Sequence, residues 1–379
     1  MSGVRPHGSD PTRTTSIAAG LIVGGCLTWN VSNVGAVADP LAAEYHVSIA
    51  TIGLLTTALF VTHLAAQLPA GRGADRFGAR SVALVAIAAA VAGNAILLLD
   101  GSFAIALLAR AIVGVGSGAG FVAGLDLVRA GGGGTVLQGL YGGATMVGGG
   151  LALMIVPALT DATGWQAAYW SAALLAVVAI APTLAVTGPP RVGHAGRWVI
   201  RDRALLPLGA LQAATFGLAV IAGNWAVPLL ERRGASSAVA GLAGGLVLSI
   251  GIITRPVGGL LARGDRGRSL VAVALIGVSI GAALLSLDGP FALAAAGALL
   301  LGLAAGLPFA AIFAAAQRAR PDAPAGAVAL VNTYAISAIL VGTPLAGLTF
   351  ELPSDGRLAF AAIAALSALA LLVLRTARL

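Results

Sequence analysis

The chain has little charge, no lysine, one cysteine and four histidines. Of its 379 residues 9% are charged and 58% are hydrophobic. A water-soluble domain carries about 25% charged residues, so this chain is not built to be dissolved in water. Cys26 stands alone inside an apolar run, which excludes an intrachain disulfide. One cysteine and scattered histidines offer no metal-ligand spacing, so no metal and no cofactor are expected. The glycine run 131–134 lacks the Gly-Lys-Ser/Thr ending of a phosphate loop, so no nucleotide machinery is visible. Every basic side chain apart from histidine is arginine. The net charge of +8 does not point to nucleic acid, because the arginines sit in short segments between apolar runs and form no continuous basic face.

What the chain does have is apolar length. A membrane helix needs roughly 20 apolar residues. That window predicts twelve spans: 17–38, 49–70, 81–99, 103–128, 135–159, 168–186, 204–229, 238–262, 269–287, 291–316, 326–350 and 358–374. The polar residues 1–16 lack the apolar core of a signal peptide, so the first span is expected to be retained. Short loops on the cytoplasmic side are enriched in arginine. With the N-terminus inside, the outside holds only Arg232, Arg233 and Arg357, while the other loop arginines fall inside. Both termini are therefore expected in the cytoplasm of a multi-pass protein of the cell (inner) membrane. The longest inner loop, 188–203, is basic and carries Pro189, Pro190, Gly193 and Gly196. It divides the chain into a tail (1–16), a first six-helix bundle (17–187), a linker (188–203) and a second six-helix bundle (204–379). Two features recur at one offset: Gly114-x-x-x-Gly118 as Gly302-x-x-x-Gly306, and Gly71 as Gly259. A shared offset suggests duplicated halves, as many transporters show.

Four motifs, in order and on matching sides of the membrane, carry a family likeness. Gly71-x-x-x-Asp75-Arg76-x-Gly78-x-Arg80 lies in the inner loop after the second span. Arg110-x-x-x-Gly114-x-Gly116-x-Gly118 lies in the fourth. Gly164-Trp165-Gln166 opens the sixth, and Arg255-Pro256-x-x-Gly259 closes the eighth. Together they resemble the signatures of the major facilitator superfamily. The resemblance implies an all-α polytopic membrane protein, with twelve transmembrane helices in two pseudo-symmetric six-helix bundles. It departs from the pattern at Arg263, which stands where the second-half echo expects an acid; Asp265 follows two residues later. The fifth span lacks the Gly-Pro pair of the family's drug–proton antiporters and has Gly148-Gly149-Gly150 and Pro157 instead.

The resemblance implies a gating role for Asp75. A carboxylate at a helix–loop boundary can accept bonds from the amides of a neighbouring helix N-terminus and pair with an arginine. Gly71, Arg76, Gly78, Arg80, Arg255, Arg263 and Asp265 join it as gating candidates, Arg255 reading either as a cytoplasmic latch or as a cavity-lining residue of an inward-open state; the alternative for the signature is a solvated loop that only sets topology. Arg110 lies deep in hydrocarbon, where a lone arginine costs ~2.5–3.5 kcal/mol on insertion scales and needs a partner. It either binds an anionic solute, tunes a proton site with Asp39 as partner, or is a structural arginine held by backbone carbonyls. Trp29, Asn30 and Asn33 share one helix face, which argues for a wet cavity or an interhelical bond.

The family places the first, fourth, seventh and tenth helices around a central cavity. That makes Trp29, Asn30, Asn33, Arg110, Gln212, Phe216, Asn224, Trp225, Phe309 and Phe313 lining candidates, with ordinary packing as the alternative. Tyr141, Asn332 and Tyr334 add polarity in helices of the pore wall. His63 and Gln67 are four apart, so His63 is a candidate proton carrier or a polar interhelical contact; Asp39 is a second coupling candidate. Asp126 and Arg129 read as a local ion pair. The expected function is secondary active or facilitative transport of a small polar or anionic solute by alternating access, with a proton or other ion as candidate co-substrate, by a monomer in a lipid bilayer. Drug or metabolite efflux by proton antiport is an alternative. A polytopic membrane enzyme or a transporter-like sensor are readings from other classes. No clustered catalytic set or signalling domain is visible, so no enzyme is expected.

Overall fold

Local chemistry sets where the helices begin and end. Ser48 accepts a bond from the Thr51 amide (3.1 Å) and Ser102 one from Ile105 (3.4 Å), each satisfying a donor that a first helical turn leaves open. Gly78 takes φ 87°, a left-handed value that favours glycine, and parts two helices in a single residue. A computed structural model describes residues 11–99, 101–187, 199, 202–236, 239–240, 247 and 249–379.

In that structure α1 is Pro11–Ser32, α2 Ile49–Phe77, α3 Ala79–Leu97, α4 Phe103–Ala130, α5 Thr135–Thr163 and α6 Ala167–Leu184. The second half comprises α7 (Leu206–Arg232), α8 (Gly251–Leu261), α9 (Gly267–Ser286), α10 (Phe291–Ala319), α11 (Pro324–Leu348) and α12 (Arg357–Leu374). Among the described residues, eleven helices are long and apolar enough to cross a membrane. The eighth is described as a helix only over its last part. The expected linker 188–203 lies outside the described residues except at Val199, Asp202 and Arg203.

Several expected bounds change. The first span ends at Ser32, not at 38; a turn follows, and a short separate helix, Ala38–Glu44, carries Asp39 at its exposed start. The second span runs on to Phe77, so the charged signature is not a loop. Gly71, Arg72, Asp75 and Arg76 occupy the last two turns of α2, and only Gly78 is non-helical. Hydropathy ended the span where charge began, but Ala and Arg are good helix formers and the helix stops only where Gly78 turns it.

In the first bundle α4 is the pillar, buried almost without interruption from Val113 to Val128. Its glycines let neighbours touch it backbone to backbone. A Cβ on Gly116 would lie 2.6 Å from the Ala86 carbonyl, and one on Gly114 or Gly118 would strike the carbonyls of Leu59 and His63. The second bundle repeats the plan with α9, α10 and α12 packed around Val278, Ala282, Leu301 and Phe360. Large apolar side chains such as Val85, Leu108, Met154 and Val273 face outward, each more than half exposed, as a lipid-facing surface requires. The bundles meet through α2 against α11 and α5 against α8.

Candidate functional site

The polar atoms that join the bundles concentrate at the arginine-rich end. The Asp75 carboxylate accepts the backbone N–H of Ala325 (3.0 Å) through one oxygen and that of Gly326 (2.8 Å) through the other. These are open donors of the first turn of α11, where a negative charge is also favoured by the helix dipole. An acid from the first bundle therefore caps a helix of the second. Gly71, one turn earlier, permits the approach: an added Cβ would lie 2.8 Å from both the Ala325 carbonyl and the Ala329 methyl. The Asp126–Arg129 pair (2.6 Å to Arg129 Nε) closes within α4, as the sequence suggested.

The second half mirrors this only in part. Gly259 packs on the start of α5, where a Cβ would meet Val136 Cα at 3.0 Å and strike the Thr135 carbonyl. The N-terminus of α5 has Gly134 at its cap position and no side-chain cap. Arg263, on the chain just after Gly259, is exposed, and the side chain of Asp265 lies outside the described residues. Arg76 and Arg80 are exposed, Arg76 stacking over Phe77 at 5.0 Å. Within the signature, Asp75 is a side chain that caps a helix of the other bundle.

Further from that end lies a second layer of ties. Asn332 Nδ2 donates to Gln67 Oε1 (3.1 Å), joining α11 to α2. Gln138 Nε2 donates to Gln317 Oε1 (2.9 Å), joining α5 to α10. Arg255 Nη1 on α8 donates to the Gly142 carbonyl and to Thr145 Oγ, both on α5 and both at 3.1 Å. The ring of Phe121 meets Phe313 edge-on across the same boundary (6.2 Å), and Tyr141 donates its hydroxyl to the Phe121 carbonyl (2.6 Å). Gln138, Gln317 and Thr145 were not singled out from sequence. For Thr145 a signal existed: Thr145 and Thr333 stand at the same offset as Gly71 and Gly259, and so do Gln67 and Arg255.

Beyond this layer opens a pocket. Its walls are Phe216, Ala219 and Val220 of α7, Gly251 and Arg255 of α8 with Val247 before it, Gly302, Ala305 and Gly306 of α10, and Met146 of α5. Two wall helices are irregular here. α7 widens into a π-helical turn over Ala213–Gly217, and α10 breaks at Leu307–Pro308 before resuming at Phe309. Such breaks recur at functional sites of helices and in transporter cavities. The Arg255 guanidinium lies over the rings of Phe216 (4.9 Å) and Phe309 (4.5 Å) and is the one charged group among the described residues of the pocket wall. Asn224 is exposed two turns beyond Phe216, on the face that Val220 continues.

Other candidates are placed elsewhere. Trp29, Asn30, Asn33 and Arg110 form one network inside the first bundle and are absent from the pocket wall. Arg110, fully buried, donates to the Asn30 carbonyl (2.8 Å) and Asn33 Oδ1 (3.4 Å). Asn33 donates to the Ala168 carbonyl (2.7 Å), Asn94 to Asn30 Oδ1 (2.8 Å), and Trp29 to Ser171 (3.1 Å). A buried arginine requires acceptors, and the polar face of α1 supplies them in place of Asp39. His63 pairs with Ser117 (3.1 Å), a contact between α2 and α4. Trp225 donates to the Thr343 carbonyl (2.8 Å) and stacks on Phe350. Tyr334 packs on Gly209, and Gln212 is buried within the second bundle. Trp165 packs on Tyr169 and Tyr45, so the sixth-span motif makes an aromatic cluster.

Twelve helices in two bundles, tied at one end with a small pocket beyond the ties, make an all-helical polytopic membrane protein. A family profile described as Major Facilitator Superfamily matches residues 20–328. The chain belongs to that superfamily. Similar solved structures include the E. coli fucose:proton symporter FucP in its N162A form, at TM-score 0.75 and 14% identity over 96% of this chain and 99% of that one. The human organic anion transporter MFSD10 (TETRAN) aligns at TM-score 0.74 and 16% identity, covering 96% and 100%. The proton:xylose symporter XylE aligns at TM-score 0.76 and 12% identity, covering 96% and 95%. No match was found among curated proteins.

Proposed function

We propose that this transporter moves a small polar or anionic solute across the cell membrane by alternating access, with the two bundles rocking about the Phe216–Arg255 pocket. The observation that carries this reading is the capture of the α11 amides by Asp75, which ties the bundles at the arginine-rich end; parting the bundles there would break it. Arginine asymmetry supports a cytoplasmic reading of that end and of both termini. The conformer described here is then closed to the cytoplasm, with its pocket on the outer side of the ties. Residues 17–187 and 204–379 act as the moving bodies and the protein works as a monomer.

The solved relatives are titled as a fucose and a xylose proton symporter and an organic anion transporter; these titles fit a small solute and, for two of them, a proton. In this chain His63, buried against Ser117, is the proposed proton carrier. The test is uptake into vesicles reconstituted with purified protein, screened over sugars, amino acids and organic anions with and without a pH gradient. Uptake that needs an intact Asp75 supports the reading; equal uptake by the Asp75→Asn form refutes the latch.

A further inference from the structure

Arg255 holds a cation in an otherwise apolar pocket with no acid to balance it. The residue is 3% exposed. No salt bridge reaches it among the described residues, and every other wall residue is Phe, Met, Val, Ala or Gly. An unbalanced charge in such surroundings is expensive. Two aromatic faces and two neutral acceptors offset it only in part.

The orientation of the guanidinium is informative. Nη1 is taken by the Gly142 carbonyl and Thr145 Oγ of the opposite bundle. Nε and Nη2 have no acceptor among the described residues. Those two nitrogens form one edge of the guanidinium fork, the edge that can grip both oxygens of a carboxylate through parallel bonds. The rings of Phe216 and Phe309 keep the plane from turning. Thr145 itself is held, because its hydroxyl donates to the Gly142 carbonyl at 2.7 Å.

Resting on the transport reading above, we infer that the transported solute is an organic monoanion with a small apolar body. Its carboxylate is gripped by the free edge of Arg255, which the pocket of about 20 Å³ leaves room to approach, and its body enters among Phe216, Val220, Met146 and Ala305 as those walls part. The tie to α5 sets that edge, so the grip is preorganised while the arginine-rich end is shut. When the bundles part there, Gly142 and Thr145 leave Arg255, the guanidinium loses its fixed orientation and the carboxylate is released. Thr145 is a positioning residue: it touches Arg255 and not the solute.

The test uses the full-length protein in lipid nanodiscs, with benzoate and hexanoate as probes and benzamide and hexanamide as their neutral isosteres. Binding is read by calorimetry and by the thermal transition. Gate closure is read by maleimide modification of Ala329→Cys in a Cys26→Ser background, Ala329 being buried against Gly71. The expected result is carboxylate binding at least tenfold tighter than amide binding, with slower modification at position 329. Arg255→Gln should abolish the discrimination and Arg255→Lys, a charge without the fork, should keep only part of it. Thr145→Val should weaken the carboxylate several-fold and leave the amide unchanged. Equal binding of acid and amide, discrimination surviving in Arg255→Gln, or no binding by any straight-chain carboxylate from acetate to octanoate or by benzoate would overturn the inference. Vesicle uptake separates the two readings. Binding without uptake leaves the site standing and sinks transport, whereas uptake indifferent to Arg255 sinks the site and leaves transport.

Discussion

Replacing Asp75 by asparagine removes one charge and almost no volume from the contact between the bundles. The carboxylate now accepts two amides, one on each oxygen, at 3.0 and 2.8 Å. Asparagine keeps one acceptor oxygen and points an NH2 group at the other donor. The loss is therefore one hydrogen bond to a charged group, worth about 1.5–3 kcal/mol, with the interaction between that charge and the α11 dipole, worth about 0.3–1 kcal/mol. Asp75 is half-buried, so screening by water favours the lower end, about 2 kcal/mol in total. At 1.36 kcal/mol per tenfold, the open form of the arginine-rich end gains roughly 30-fold in population. Modification of Ala329→Cys in the Cys26→Ser background should accelerate by about that factor. Asp75→Glu, which keeps the charge, should accelerate it less. A rate within twofold of the unmutated protein would refute the reasoning, because it would mean that the amide capture carries no share of closure.

Gly71→Ala should act on the same equilibrium by another route: its methyl lies 2.8 Å from Ala325 and Ala329 atoms, overpacking costs about 1–3 kcal/mol, and faster modification at 329 with unchanged helix content checks it. Arg110→Ala should lower thermal stability by about 2–4 kcal/mol, since it opens a cavity and strands the Asn30 carbonyl; solute affinity of the surviving folded protein, by calorimetry, should not change. His63→Gln should leave uptake driven by the solute gradient intact and abolish its acceleration by a pH gradient, measured in the same vesicles. Arg320 bonds Asp322 and Asp202, both at 2.7 Å, and holds the Asp322 carboxyl below its ordinary range. A depressed carboxylate lends stability above its unfolded pKa and loses it as pH falls through the folded value. Thermal stability between pH 5 and 3 should therefore drop slightly more steeply in the unmutated protein than in Arg320→Gln, by no more than ~1 kcal/mol for so exposed a pair.

The apolar spans and the reach of Asp75 to a neighbouring helix were legible because both depend on composition and on short motifs. Apolar length marks spans, arginine marks a side, and an acid four residues after a helix-packing glycine can reach a neighbouring helix end. Direction around a helix was not legible. Trp29, Asn30 and Asn33 do share a face, but spacing cannot say whether that face looks at the cavity or at Arg110 and α6. The same ambiguity made Arg110 the expected cavity cation, whereas the structure puts Arg255 on the pocket wall. What decides between them is the pair of helix irregularities at Ala213–Gly217 and Leu307–Pro308, which shape the pocket beside Arg255. A π-turn has no sequence mark in a run of Ala, Thr and Gly. The departure at Arg263 was legible, yet the Arg255 and Gln138–Gln317 ties needed coordinates, because those contacts join residues more than a hundred positions apart.

The central claim is that the two ends open in alternation, and paired spin labels test it most directly. One pair, Phe77→Cys with Arg318→Cys, spans the bundles at the arginine-rich end; a second, Asp161→Cys with Glu351→Cys, spans them at the other, all four positions being exposed. Distances are measured by pulsed dipolar spectroscopy in nanodiscs, with each pair in a Cys26→Ser background, with and without Asp75→Asn. The account predicts that Asp75→Asn lengthens the first distance and shortens the second. Two distances that stay fixed, or that lengthen together, would contradict it.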